Sequence, residues 1–439
     1  MSKTYRDSRW DTTGIVSNLL KDTEIPRMVK IRQRFESDRI EDVTRCVYDQ
    51  LEKDEIRSRI KPGMKIAITA GSRGISHYQE IMRALVTKLK EFEAQPFLFP
   101  AMGSHGGGTA EGQRAMLESL GITEESVGAP IYSSMEVVQI GINEDGRPVY
   151  LDRFASEADG IVVFNRVKPH TNFRGKYESG LLKMLTIGAG KNIGAALCHR
   201  MPMDDMPHNI YAFGTAVIKN ANILFGLATV ENAYDEVKKI TAIPAERIAE
   251  VEAELQIEAK ASMPRIFFDE FDVLVVNQIG KNFSGPGMDP NITGISGNPH
   301  MKLKPVVQRR VVLDLSDETH GNATGLGLAD FSTKRAFDKI DFDAGYPNTI
   351  TSRTTAGGKI PPIMKNDVLA IAAGIYTCDT APGQPIKIVR IPNTLHIDEI
   401  EISEALLVEA KSNPNIEIIS EPFTLAFDKA GNLCDMEQN

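Results

Sequence analysis

GIVVFNRVKPHTNFRGKYESGLLKMLTIGAGKNIGAALCHR, residues 160–200, opens on an apolar run and closes on a stretch that a packed core would not contain. The run 160–164 reads as a buried strand. Behind it, residues 165–200 gather His170 and His199, several lysines, and glycines that open the backbone to close approach by a ligand. A polar cluster just past the C-terminal end of a buried strand is where open α/β sheets place their ligands. The expected fold class is therefore α/β.

Upstream, the same grammar occurs twice. Residues 40–60 carry apolar positions at helical spacing, Pro62-Gly63 interrupts them, and residues 64–70 (MKIAITA) form a β-rich run. That strand ends in Gly71-Ser72-Arg73-Gly74. An amphipathic helix over 78–92 leads to a second strand at 96–100, followed by the loop Gly103-Ser104-His105-Gly106-Gly107-Gly108-Thr109. Thr109 is a natural N-cap for a helix over 110–120, with Glu111 in its first turn. Two consecutive strands thus deliver polar loops to one sheet edge, and residues 165–200 supply the third.

Downstream, the pattern predicts a helix over 205–219, a strand over 221–229 and a long charged helix over 231–261, with Pro264 marking a boundary. A new unit starts with the strand 271–279, whose end runs into the glycine-rich loop 280–291. A strand at 310–315, a glycine-rich segment at 321–327 and a helix over 332–339 continue it. From Pro385 onward a compact tail is expected, with strands at 386–391, 416–419 and 423–428 and a helix over 398–411. The expected architecture is two α/β domains with an interdomain active-site cleft. Residues 1–265 would form the N-terminal domain, completed by about 385–439 returning to it, and 270–384 the C-terminal domain.

Composition excludes several function classes. At 439 residues, 42% hydrophobic and 25% charged, the chain reads as an ordinary globular protein long enough for two domains. No window reaches the roughly 18 consecutive apolar residues of a membrane span, and MSKTYRDSRWDTTG lacks the apolar core of a signal peptide. Cys46, Cys198, Cys378 and Cys434 are scattered, with no CxxC, which suits a reducing compartment; a cytoplasmic location is expected. The net charge of −9 and the absence of a basic stripe argue against nucleic acid and membrane partners.

The chain has eight histidines, so those in glycine-rich loops after strands are informative. His105 and His170 are candidates for proton transfer, or else ordinary loop residues. His199 is either a ligand or a helix C-terminal residue facing the dipole. Arg73 can present its planar fork to a carboxylate. Lys183, within LLKML, is either an amine with a depressed pKa or a lysine that snorkels from a helix face. The loop 103–109 resembles an anion cradle but fits neither GxGxxG nor GxxxxGK[ST]. In the second unit Lys281, Asn282, Ser284 and Asp289 stand where they could face a cleft. If Arg73 holds a carboxylate, two histidines on opposite faces of the next carbon could exchange a hydroxyl proton. Breaking the adjacent C–H bond would then require a hydride acceptor.

His105 within GSHGGGT, Pro169-His170, Lys183, and His199 sixteen residues further on resemble, in that order, the signature of the nickel-pincer lactate racemase family. The resemblance runs from about Arg73 into the second unit. It implies a nickel ion held by a pyridinium-derived mononucleotide with two sulfur arms, tethered through Lys183 and contacted by Ser72, Gly106 and Gly107. His199 would be the protein ligand to nickel, an ion that imidazole suits, and His105 and His170 the acid/base pair. Arg73 would orient the substrate carboxylate. On the substrate side the resemblance points to Gln278 and Lys281, or to Asp289 and Asn291, with Asn282 and Ser284 between them. The implied activity is racemisation or epimerisation of a 2-hydroxy acid through a 2-keto intermediate, with cofactor-maturation enzymes as partners and a homo-oligomer compatible with it. Two departures stand out: residues 174–178 lengthen the His170-to-Lys183 interval, and Ala70 replaces an acidic residue ahead of Ser72-Arg73. The polar loop 280–291 suggests an acid larger or more polar than lactate. Two rival readings are a nicotinamide-dependent oxidoreductase of a hydroxy acid and a non-catalytic metal- or nucleotide-binding protein using His105, His170 and His199 as ligands.

Overall fold

A computed structural model describes residues 14–351, 354–381 and 383–434; the polar N-terminal stretch through residue 13 lies outside them. In chain order the strands are β1 (Met28–Gln33), β2 (Lys65–Ala70), β3 (Gln95–Pro100), β4 (Val137–Ile142), β5 (Pro148–Asp152), β6 (Gly160–Arg166), β7 (Ile223–Glu231), β8 (Val237–Pro244), β9 (Glu270–Ile279), β10 (Val306–Leu315), β11 (Phe331–Thr333), β12 (Ile363–Met364), β13 (Ile388–Ile391), β14 (Glu399–Ser403) and β15 (Ile416–Ile418). Helices intervene throughout, so the class is mixed α/β. The chain divides into residues 36–263 and a second unit made of the segments on either side of them.

In the 36–263 unit the sheet order is β3-β2-β6-β7-β8. β2 runs parallel to β3 and β6, and β6 parallel to β7. These strands are buried along nearly their whole length, as a parallel sheet covered on both faces requires. Side chains alternate between two cores. Ile66, Ile68 and Ala70 pack with Ile81, Leu85 and Leu89 of the helix Tyr78–Glu91. Ala67, Phe97, Phe99, Ile161 and Val163 face the other layer, with Phe213 and Leu255 from the helices Met206–Asn220 and Ile248–Ser262. Parallel pairing brings the ends of β2, β3 and β6 to one edge, with Ala70 level with Pro100.

The long helix expected over 231–261 is instead a strand followed by a helix. β8 folds back antiparallel on β7. The turn is built by Asn232, whose Oδ1 accepts the N–H groups of Tyr234 at 2.9 Å and Glu236 at 3.0 Å. Val237, Ile240 and Ala242 of β8 join the first core, an inward pattern that Lys238 and Lys239 mask in the sequence.

The other unit carries a sheet of order β12-β11-β10-β9-β13-β14-β1-β15. β9 is parallel to β10 and β13, while β14 is antiparallel to β13 and β1. The tail therefore does not complete the first domain as expected. β13 hydrogen-bonds to β9, and β1, from the start of the chain, joins the same sheet between β14 and β15. The helix expected over 398–411 begins as β14, because Ile400 and Ile402 point inward while Glu399 and Glu401 pair outward, a period of two. Helical structure starts only after β14, as a 3₁₀ turn over Glu404–Leu406 that leads into the helix Leu407–Ser412. Residues 423–428 make isolated bridges, Met28 to Phe423 and Phe427 to Leu433, rather than a strand. Among the described residues no helix is long and apolar enough to cross a membrane.

Candidate active site

Three loops at the C-terminal edge of β2, β3 and β6 are tied to one another. After β2, Ser72 Oγ lies 2.5 Å from Nδ1 of His105, which follows β3. The His105 loop is pinned to the Lys183 segment, with Gly103 N–H donating to the Gly188 carbonyl at 3.2 Å. From β6, Asn165 Nδ2 donates to the Gly180 carbonyl at 2.8 Å, fixing the entry to that segment. Gly106 has φ +64, and a Cβ there would come within 2.6 Å of the backbone at Gly112 and Gln113, so the loop packs directly on the following helix. That contact gives Gly106 a packing role.

Lys183 closes the short helix Leu181–Lys183, which passes into a turn of π-helix, Met184–Gly188, where Ala189 N–H donates to the Met184 carbonyl at 2.8 Å. Its amine has no hydrogen bond or ion pair with any described residue. Burial, then the charge of Arg73, brings its pKa down to about 8. Arg73 is likewise without a hydrogen-bond or ion-pair partner among the described residues. It is open to solvent yet surrounded by protein, and desolvation followed by repulsion from Arg166 lowers its pKa. Arg166 itself is neutralised by Glu231. His199 occupies the last turn of the helix Lys191–His199 and is exposed.

His170 is partly buried on the loop after β6. Its ring stacks on Phe173 with centroids 4.0 Å apart, and its Nδ1 accepts the Asn172 backbone N–H at 3.1 Å. Burial, followed by the positive charges of Lys183, His199, Arg174 and Arg73, holds its pKa well below the ordinary histidine value. Those same influences link His170 to Lys183, His199 and Arg73 through charge.

Several functional contacts escaped the sequence reading. Glu178, fully buried within the stretch 174–178, accepts the His170 backbone N–H at 2.8 Å, the Gly175 N–H at 3.0 Å and the Lys260 ammonium at 2.6 Å. Lys191, fully buried with φ +53, contacts the Pro100 carbonyl, Gln113 Oε1 at 3.2 Å and Asp152 at 3.2 Å. Gln113 in turn donates to the carbonyls of Gly103 at 2.9 Å and His105 at 3.3 Å. Glu252 accepts the Leu182 N–H at 2.8 Å beneath Lys183, and burial raises its carboxyl to about 7.

The second-unit candidates are described within their own unit. Gln278 lies near the end of β9, level with Asp314 of β10. Lys281 Nζ donates to the Gly285 carbonyl at 2.6 Å, and Asn282 accepts from Ser316 Oγ at 2.7 Å. Ser284 N–H closes a turn onto Gly280. Asp289 caps the helical turn Pro290–Thr293 and accepts from the Asn291 amide at 2.7 Å. These bonds account for the loop's polarity without a substrate.

Among the described residues no three His, Cys, Asp or Glu side chains are grouped so as to hold a metal ion. His105, His170 and His199 are not part of such a group.

Residues 14–205 match the family model described as the lactate racemase N-terminal domain. Arg73, His105, His170, Lys183 and His199 all fall inside the matched stretch. Among solved structures, the chain is similar to the lactate racemase apoprotein from Thermoanaerobacterium thermosaccharolyticum, at 14% identity over 75% of this chain and 85% of that one, with a TM-score of 0.48. A comparison with curated proteins finds no match.

Proposed function

We propose that this protein is an isomerase, a racemase or epimerase of a 2-hydroxy acid that works with a nickel-pincer nucleotide. The family match of residues 14–205 supports the coarser, lactate racemase-type activity. The observation that carries the finer reading is the pairing of two cations lacking partners among the described residues, Arg73 and Lys183, with two histidines on loops at one sheet edge.

The residues present fit the cofactor. An ordinary protein metal site needs three or four side-chain donors, and none is assembled among the described residues. A nickel ion that arrives with its own donors needs only one more, which the exposed imidazole of His199 can supply, and a covalent tether, which the Lys183 amine can supply. At a pKa of about 8 a useful fraction of that amine is neutral and nucleophilic near pH 7. When bound, the group would accept and return the α-hydride.

The chain's own residues would do the rest. Arg73 binds the carboxylate through charge-assisted hydrogen bonds and thereby sets which carbon faces the histidines. His105 and His170 handle the hydroxyl hydrogen and the charge left on its oxygen. Gln278, Lys281, Asn282, Ser284, Asp289 and Asn291 belong to the proposal as the substrate side of the other unit, with cofactor-maturation enzymes as partners. The test is chiral chromatography of a panel of 2-hydroxy acids, lactate included, incubated with cofactor-loaded enzyme and no nicotinamide. Conversion of one pure isomer into a mixture is expected; conversion that requires a nicotinamide cofactor would overturn the reading.

A further inference from the structure

Residues 168–179 form a closed loop built around a carboxylate. At its base the Lys168 N–H donates to the Ser179 carbonyl at 2.9 Å. Inside, Glu178 is fully buried and both of its oxygens are engaged. One accepts the His170 backbone N–H at 2.8 Å and lies 3.4 Å from the Arg174 guanidinium; the other accepts the Gly175 N–H at 3.0 Å. The Arg174 guanidinium also donates to the His170 carbonyl and, at 3.1 Å, to that of Phe173. His170 is thus held through its own backbone N–H and carbonyl, while its ring stacks on buried Phe173.

The second oxygen of Glu178 is also reached from outside the loop. Lys260, exposed in the last turn of the helix Ile248–Ser262, places its ammonium 2.6 Å from that oxygen and 3.1 Å from the Gly175 carbonyl. A lysine near a helix C-terminus commonly turns to the last carbonyls of its own helix. This one is committed to another segment. A carboxylate enclosed by protein is costly without a counter-charge, and Lys260 and Arg174 supply it. Gly175 lets the loop settle closely, because a Cβ there would come within 2.4 Å of Pro207 at the start of the helix Met206–Asn220.

We infer, building on the reading of this site as a 2-hydroxy acid isomerase, that Glu178 and Lys260 are positioning residues for His170. Their ion pair is a strut that runs from the protein surface to the His170 backbone and fixes where the imidazole meets the substrate. Both act through the loop rather than on the substrate. The stretch 174–178, which lengthens the interval between His170 and Lys183, thereby has a purpose: it supplies the carboxylate and the arginine that hold the loop.

The test uses the full chain, and its first arm is amide hydrogen exchange without cofactor. In Lys260→Met and in Glu178→Gln the amides of His170 and Gly175 should exchange about tenfold faster or more, with β6 unchanged. Glutamine matches the shape of glutamate, but whichever way its amide is turned, an NH₂ meets an N–H donor. Lys260→Arg should keep the protection. Unchanged loop exchange in either variant would overturn the strut; a Lys260→Met chain that is merely less stable throughout would assign the lysine to its own helix instead. The second arm is turnover per bound nickel. Lys260→Met and Glu178→Gln should lose kcat on the order of 10- to 10²-fold with KM within about twofold, and Lys260→Arg should recover it. A loss confined to KM, or full turnover beside fast loop exchange, would overturn the positioning role. A parent enzyme that converts no 2-hydroxy acid would overturn the isomerase reading, while the exchange arm would still decide the strut.

Discussion

Both units carry parallel strands that end in polar loops, yet the charges at the two edges are treated in opposite ways. At the end of β10, Asp314 lies between Arg335 at 3.3 Å and Lys339 at 3.1 Å. Nearby, fully buried Asp367 accepts Arg335 at 2.9 Å and the Leu433 N–H at 2.8 Å. Each cation there has a carboxylate within its own unit. Past β2 and β6, Arg166 is neutralised by Glu231, while Arg73 and Lys183 have no such partner among the described residues and stand in the electrostatic environment of His170. Charges that serve only the fold are compensated where they sit. Positive charge left uncompensated destabilises the empty chain, and it makes sense where an anion or a covalent partner arrives.

The largest expected effect lies at the uncompensated edge. Lys183→Ala should abolish stable cofactor attachment and bring turnover down to background, measured on protein from a cofactor-making host. At the compensated edge, Asp367→Ala should leave half-buried Arg335 with Asp314 alone and the buried Leu433 N–H without its acceptor, and destabilise the fold by about 1–3 kcal/mol in denaturant unfolding. Activity per folded molecule should change little; a selective loss of turnover would break the contrast between the two edges. Arg73→Ala should lower kcat/KM on the order of 10²-fold, chiefly through KM, with little change in stability. Arg73→Lys should recover only part of this, because the planar fork is lost.

The smallest effect sharpens the comparison through pH. The Lys183 amine titrates at about 8 in the folded chain against 10.5 unperturbed. Between those values the unfolded chain binds the extra proton, so this group makes cofactor-free stability rise with pH across that window. Lys183→Met should remove the rise and stabilise the cofactor-free chain at pH 7 by about 1 kcal/mol. A variant less stable than the parent at pH 7 would mean that the amine is compensated after all.

The loops were legible in the sequence because their physics is local. Apolar runs such as 160–164 and 64–70 can only be buried strands here, and glycines beside Arg73, His105 and His170 mark backbone that must turn sharply at strand ends. The supports beneath those loops were not legible. Glu178, Lys191 and Glu252 look like surface charges until the fold encloses them, and only long-range packing sets Glu252 under Leu182, seventy residues away. The hairpin at Asn232 was masked by lysines on the outer face of β8. The placement of β1 beside β14 depends on pairing across more than 360 residues, which no periodicity encodes.

The most direct measurement is intact-protein mass spectrometry with nickel analysis on protein from a host that loads a related racemase, with peptide mapping of Lys183. The account predicts an added mass on the Lys183 peptide and close to one nickel per chain, both lost in Lys183→Ala. An unmodified Lys183 without nickel in that host would contradict it.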